Sequence, residues 1–156
     1  MTEECVILAG GYGTRLGKIT KKTPKPLIKI NQKPFIFYLI KNFYRQGIRK
    51  FYILTFYKHE EFLKVIPKRY KQATIQIIKE KKKLGTAGSI NNIKKKLDKT
   101  FFVINGDTFF DINLRDLEKI TNDAKSDIGV SIVSSRDHKG YKSYKINKLN
   151  KVKDYT

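Results

Sequence analysis

Residues 5–26 read CVILAGGYGTRLGKITKKTPKP, and this stretch constrains the chain more than any other. The opening run Val6-Ile7-Leu8-Ala9 is apolar and short enough for a buried strand. Gly10, Gly11 and Gly13 follow at once and make a turn where backbone can approach a ligand closely. Thr14 and Arg15 come next, and Pro24 and Pro26 hold Lys25 between two rigid residues. A buried strand entering a glycine loop equipped with Arg and Lys suits a bound polyphosphate.

Downstream, the hydrophobic pattern alternates between strand and helix. Leu27–Ile30 is a short extended piece, and Asn31-Gln32-Lys33 turns into a helix with Pro34 at its first position. Phe35, Tyr38, Leu39 and Phe43 recur at spacings of three and four, which predicts an amphipathic helix ending at Gly47. Strands are predicted at Phe51–Thr55, Ala73–Ile78, Phe101–Ile104 and, by alternation of Ile128, Val130 and Ile132, at Asp127–Ser134. Helices are predicted at His59–Ile66, Ser89–Leu97 and Leu114–Ala124, the last capped by Asn113. Beyond Arg136 the chain turns polar, with short strands at Ser143–Asn147 and Val152–Tyr155. Strands alternating with helices imply an α/β fold, a Rossmann-like, doubly wound and mostly parallel sheet covered on both faces, in one domain spanning residues 1–156. Ligands of such sheets bind beyond the carboxyl ends of the strands. The glycine loop, the segment Glu80–Gly88 and Asn105-Gly106-Asp107 all fall on that edge.

Composition narrows the function classes. With 156 residues, 40% hydrophobic, 10 Phe and 9 Tyr, the chain can bury a core, and no apolar run is long enough to span a bilayer. The acidic start MTEEC is unlike a secretory signal, and the single Cys5 fits a reducing compartment, so a cytoplasmic protein is expected. A net charge of +20 invites a nucleic-acid reading. Only six of the cations are arginine, however, and base readout favours Arg, so solvated lysines explain most of the excess. One local feature resists that explanation: Cys5 through Lys58 contains twelve Lys and Arg and no Asp or Glu. The N-terminal third is an uncompensated positive field, suited to a strongly anionic ligand.

Two familiar glycine motifs fail on spacing. A dinucleotide fingerprint needs glycine where Leu16 stands and an acid about twenty residues on. A Walker loop also meets Leu16, and Ile19 follows Lys18 where Ser or Thr is required. What the chain does carry is Gly10-Gly11-Tyr12-Gly13-Thr14-Arg15-Leu16, Pro24-Lys25-Pro26, Leu84-Gly85-Thr86-Ala87-Gly88 and Asn105-Gly106-Asp107, in that order. With these motifs it resembles the sugar-1-phosphate nucleotidyltransferases, from Val6 to about Leu114. KEKKKLGTAG and NGDTFFDI look most like the members that transfer a guanylyl group to heptose 1-phosphates.

The resemblance implies an enzyme that joins an NTP, GTP favoured, to a sugar 1-phosphate, with release of pyrophosphate. It implies that Leu8, Ala9 and the Gly10–Gly13 loop with Thr14 cradle the nucleotide, while Arg15 holds its α- and β-phosphates. Lys25 would neutralise charge at the reacting α-phosphate, and Glu80 with the Gly85 and Thr86 segment would read the base. Asn105 and Gly106 would complete the nucleotide site, and Asp107 would bind Mg²⁺. These residue types suit the chemistry. The attacking sugar phosphate, with a second pKa of about 6, is already mostly ionised at neutral pH, so no general base is needed. What remains is to bring two anions together, by cations and positioning.

Taken singly, each feature has a plainer explanation. The glycines can make a tight turn, Arg15 and Lys25 can be surface cations, Asp107 can serve a turn, and Glu80 can pair with Lys81 or Lys83 in solvent. Asp111 reads as a turn cap rather than a metal ligand, His59 and His138 as surface residues, and the Tyr and Phe residues as core. The family's pattern also continues past Thr156, into a Glu-Lys pair for the sugar phosphate and a later metal-binding aspartate. The expectation is therefore a truncated chain with an exposed sheet edge that invites self-association. Uridylyl-, thymidylyl- and cytidylyltransferases and mannose-1-phosphate guanylyltransferases are alternatives within the class. A catalytically inactive nucleotide-binding fragment and a basic nucleic-acid-binding domain are the alternatives outside it.

Overall fold

The computed structural model describes residues 1–132, 144–147 and 151–155. Its centre is a five-stranded sheet built from β1 (Glu4–Leu8), β4 (Lys50–Thr55), β5 (Arg69–Tyr70), β6 (Ala73–Lys79) and β7 (Phe102–Asn105). Their order across the sheet is β5-β6-β4-β1-β7, with β1, β4, β6 and β7 parallel and only the two-residue β5 antiparallel. The chain moves outward from β1 through β4 to β6, then returns to lay β7 on the far side of β1. That reversal sets a switch point between β1 and β7, where the loops leaving two adjacent strands part and open a crevice.

The helices follow the same reversal. The crossover from β1 to β4 holds α1 (Lys18–Lys22), a small hairpin of β2 (Lys29–Ile30) and β3 (Lys33–Pro34), and α2 (Phe35–Arg45). Helix α3 (His59–Val65) joins β4 to β5, α4 (Gly85–Ile93) joins β6 to β7, and α5 (Leu114–Asp123) follows β7. Alternation along each strand sends Cys5, Ile7, Phe51, Ile53 and Ile75 to one face. There they are buried with Ile36, Ile40 and Phe43 of α2, Phe62 of α3 and Leu114 of α5. Val6, Tyr52 and Leu54 point the other way, onto Ile93 of α4. This is the Rossmann-like architecture read from the sequence, with helices on both faces.

Local agreement is close and the exceptions have physical causes. The Asn113 side chain caps α5, accepting from the Arg115 and Asp116 N–H groups at 3.0 and 3.3 Å. The face of α2 that enters the core is Ile36, Leu39, Ile40 and Phe43. Phe35 and Tyr38 flank it instead, and the Tyr38 hydroxyl donates to the Ile30 carbonyl. Asn31 and Gln32 both take positive φ, as a two-residue hairpin turn between β2 and β3 requires. Residues 25–27 wind as a 3-10 turn, so only Lys29–Ile30 of the expected extended piece is strand. Helix α4 starts at Gly85 rather than Ser89 and ends at Ile93, with Lys94–Lys96 tightening into a 3-10 turn.

The strand expected at Asp127–Ser134 is absent from its described part, residues 127–132. Ile128, Val130 and Ile132 stay 78, 49 and 43% exposed, and no described strand pairs with them. Alternation marks a face able to be buried, but the ladder that makes a strand needs a partner. Residues 133 and 134 lie outside the described part, as does His138. The short strands expected near the carboxyl end form β8 (Tyr144–Ile146) and β9 (Val152–Tyr155), an antiparallel pair. No helix of the described residues is long and apolar enough to cross a membrane.

Cys5 is fully buried in β1, and burial pushes its thiol well above the ordinary cysteine range. A thiol reagent such as DTNB at pH 8 should therefore release no chromophore from the native chain and one equivalent after denaturation. Prompt reaction of the native protein would contradict the buried position of β1.

Candidate functional site

One line of backbone pairing arranges the carboxyl edge. Leu8 is level with Leu54 on one side and Asn105 on the other, and Thr55 is level with Lys79. One further hydrogen bond beyond each strand fixes where its loop begins. The Ala9 N–H donates to the Leu54 carbonyl at 2.8 Å, Glu80 N–H to Thr55 at 2.7 Å, and Gly106 N–H to Leu8 at 2.8 Å. Three loops therefore start side by side and enclose a cleft of about 250 Å³.

Glu80 is an expected member in an unexpected setting. It is only 4% exposed, and its Oε1 is buried with no hydrogen-bond partner among the described residues. The solvated pairing with Lys81 or Lys83 is not formed; no described ion pair involves Glu80. The carboxylate fits because residue 10 is glycine: a Cβ there would stand 2.8 Å from Glu80 Oε2 and 3.4 Å from Phe56 Cβ. A buried carboxylate left without a donor is costly.

The glycine loop is braced from behind. Gly13 has φ +65° and opens a 3-10 turn over Thr14–Leu16, which carries Arg15. The buried Thr20 hydroxyl donates to the Gly13 carbonyl at 2.9 Å, and the Tyr57 hydroxyl donates to the Thr20 carbonyl at 3.2 Å. Thr20 was not singled out from the sequence. Inside KITKK it reads as an ordinary helix residue, and its function depends on a carbonyl seven residues earlier.

On the other side of the switch point, Lys25 Nζ pairs with Asp107 Oδ2 at 2.8 Å across 82 positions of sequence. Both side chains are more than a third exposed, so the pair is a solvent-screened contact that a stronger ligand can open. Asp107 Oδ1 accepts from the Thr108 hydroxyl at 3.3 Å. Among the described residues no three His, Cys, Asp or Glu side chains gather as a metal cage.

The structure brings together most of the residues chosen from sequence. Leu8, Ala9, Gly10, Gly11 and Gly13 line the cleft from the first loop, with Lys25 beside them. Glu80, Gly85 and Thr86 line it from the second, and Asn105 and Asp107 from the third. Thr14 and Arg15 lie in the 3-10 turn next to it, and Gly106 lies between Asn105 and Asp107. Lys83 and Ser89 also line it, and sequence reasoning missed both. Asp111 lies elsewhere, with Arg45 and Arg115 in a wider, shallower hollow at the amino-terminal ends of the strands. His59 is half-buried rather than a plain surface residue, and its Nδ1 is 2.7 Å from the buried Thr55 hydroxyl.

The chain's sequence and fold both match a known family. The chain belongs to the nucleotidyl transferase family, whose sequence pattern matches residues 4–154. It is 35% identical over 137 residues to the D-glycero-alpha-D-manno-heptose 1-phosphate guanylyltransferase of Campylobacter jejuni, covering 88% of this chain and 61% of that protein. The enzyme of the same name from Aneurinibacillus thermoaerophilus is 32% identical, with 88 and 60% covered. Among solved structures, HddC from Yersinia pseudotuberculosis complexed with GMP-PN superposes with a TM-score of 0.87 at 31% identity, over 99% of this chain and 68% of that one. The chain thus spans about three fifths of the length of the guanylyltransferases it matches.

The two glycines at the centre of the loop should respond differently to substitution. Gly13→Ala forces a side chain into a left-handed conformation and against Thr20 Cγ2, 2.8 Å away. It should cost roughly 1–3 kcal/mol in urea unfolding. Gly11→Ala meets no atom within 4 Å and should stay within about 0.5 kcal/mol of the parent. Equal costs would mean that the loop is not held as described.

Proposed function

We propose that this chain binds GTP in the cleft at the carboxyl edge and transfers its guanylyl group to a sugar 1-phosphate, releasing pyrophosphate. The observation that carries the base assignment is the buried Glu80 with its unpartnered Oε1. A carboxylate only accepts hydrogen bonds, through two oxygens. Guanine alone among the common bases offers two adjacent donors, N1–H and the N2 amino group. Uracil and thymine present one N–H between two carbonyls, whose oxygens would face the carboxylate. The guanylyltransferase relatives and the GMP-PN complex of HddC support the same base.

Around the base, Gly85 and Thr86 approach from the start of α4, and the glycine loop offers backbone N–H groups to the phosphates. Arg15 belongs to the turn that closes that loop, and a guanidinium's planar fork suits two phosphate oxygens. Lys25, packed beside Gly13, meets the phosphates from the same side. The acid-free stretch from Cys5 to Lys58 favours a polyanion throughout. In the reaction an oxygen of the sugar phosphate bonds to the α-phosphorus, and the bond from the α-phosphorus to the bridging oxygen breaks, with its electrons leaving on pyrophosphate. These residues position the two anions and neutralise them.

Asp107 fits a magnesium ion, which commonly takes one or two carboxylates and completes its shell with phosphate oxygens and water. It is a hard oxygen donor at the cleft wall, and its present partner is itself a cation, Lys25. Bound there, the ion would neutralise phosphate charge. A heptose 1-phosphate is the favoured acceptor, on the strength of the two relatives named for it, and a cytoplasmic location suits such soluble substrates.

Calorimetry with the four nucleoside triphosphates and a pyrophosphate-release assay with Mg²⁺ and heptose or mannose 1-phosphate test this. GTP should bind most tightly, and Glu80→Gln should weaken it by about tenfold or more while narrowing its lead over UTP. Asp107→Ala should lower turnover by about a hundredfold. GTP binding with no pyrophosphate release would leave a nucleotide-binding module, and a preference for UTP would overturn the guanine assignment.

A further inference from the structure

Lys83 has no place in the site read from sequence, yet it alone of the Lys81–Lys83 run lines the cleft. It leaves the base-side loop three residues after Glu80, and its Nζ stands 5.8 Å from the centroid of the Tyr12 ring, on the glycine loop. The Tyr12 ring is itself held, edge-on against Phe56 at 5.9 Å and tilted onto Tyr57 at 5.3 Å. One ammonium therefore spans from the loop that meets the base to the loop that meets the phosphates. No described ion pair engages it.

A lysine over an aromatic face is attracted by the ring's electron-rich side, which restrains its long side chain. Here the restraint ties the charge to the ring between Gly11 and Gly13 in sequence, and all three of Lys83, Gly11 and Gly13 line the cleft. We propose that Lys83, seated on Tyr12, is a further nucleotide-binding residue that closes over the phosphates from the base side. This rests on the guanine-nucleotide reading of the cleft and adds to it a clasp between the two loops. Tyr12 acts through Lys83 and is a positioning residue.

The test is calorimetric titration of the 156-residue chain and its variants with GTP, GDP and GMP, each variant first checked for an unchanged thermal melt. Lys83→Ala should weaken GTP binding by about tenfold, as for loss of a hydrogen bond to a charged group. The loss should shrink for GDP and again for GMP. Lys82→Ala, on the neighbouring exposed lysine, should leave binding within about twofold, as for a screened surface charge. Tyr12→Leu should reproduce part of the Lys83→Ala loss, and the double variant should be no weaker than Lys83→Ala alone, because the two residues act as one unit.

The proposal is overturned if Lys83→Ala binds GTP like the parent, loses the same factor for GMP as for GTP, or is matched by Lys82→Ala. It also fails if the Tyr12 and Lys83 effects simply add. Should the parent chain bind no guanine nucleotide, the proposed function falls and the clasp with it. Parent binding with an unaffected Lys83→Ala removes the clasp alone.

Discussion

The placement of β1 between β4 and β7 is the constraint from which the rest follows. Because the chain runs outward to β6 and then returns past β1, two loops with no sequence relation leave the same edge on either side of one strand. The hydrogen bonds from Ala9, Glu80 and Gly106 to Leu54, Thr55 and Leu8 carry that alignment one residue beyond the sheet. A carboxylate, a glycine turn and an aspartate are then neighbours by construction. The turn itself needs little more than Gly13 in a left-handed conformation and Thr20 behind it.

Charge placement gives this geometry a direction. Residues 5–58 supply cations and no acids, and the two carboxylates of the cleft come from later in the sequence. They occupy contrasting environments. Asp107 is half-exposed and already satisfied by Lys25, an arrangement that is cheap to reopen when a polyanion claims the lysine. Glu80 is buried and has an oxygen without a donor, which stores an unmet hydrogen bond until a ligand supplies it. Under the proposed function, one carboxylate serves exchange among cations and the other recognition of a neutral edge.

Legibility in the sequence tracked the range of the interaction. Strands β1 and β4 were readable because each buries an apolar run, β6 and β7 because theirs is apolar in sequence even where it is only half-buried, and Asn113 because a cap acts within three residues. The glycine loop and the Asn105–Asp107 turn were readable as motifs, and their meeting followed from the strand–helix alternation. The burial of Glu80 was not, because KEKKK has the composition of a solvated run, and only the end of β6 facing Gly10 withdraws it from water. Lys83 was hidden in the same run, among lysines that differ only in where the backbone aims them. The two-residue β5 is too short to leave a signal. Alternation at residues 127–132 misled because it reports an available face and says nothing of a partner strand.

Under the proposed function, three loops of the parallel edge form one guanine-nucleotide site. Amide NMR shifts of the labelled chain during GTP titration test it most directly. Saturable shifts should concentrate at Gly10–Gly13, Glu80–Thr86 and Asn105–Asp107 and move together with one affinity. Shifts confined to the hollow around Arg45 and Arg115, or loops that respond with unrelated affinities, would contradict it.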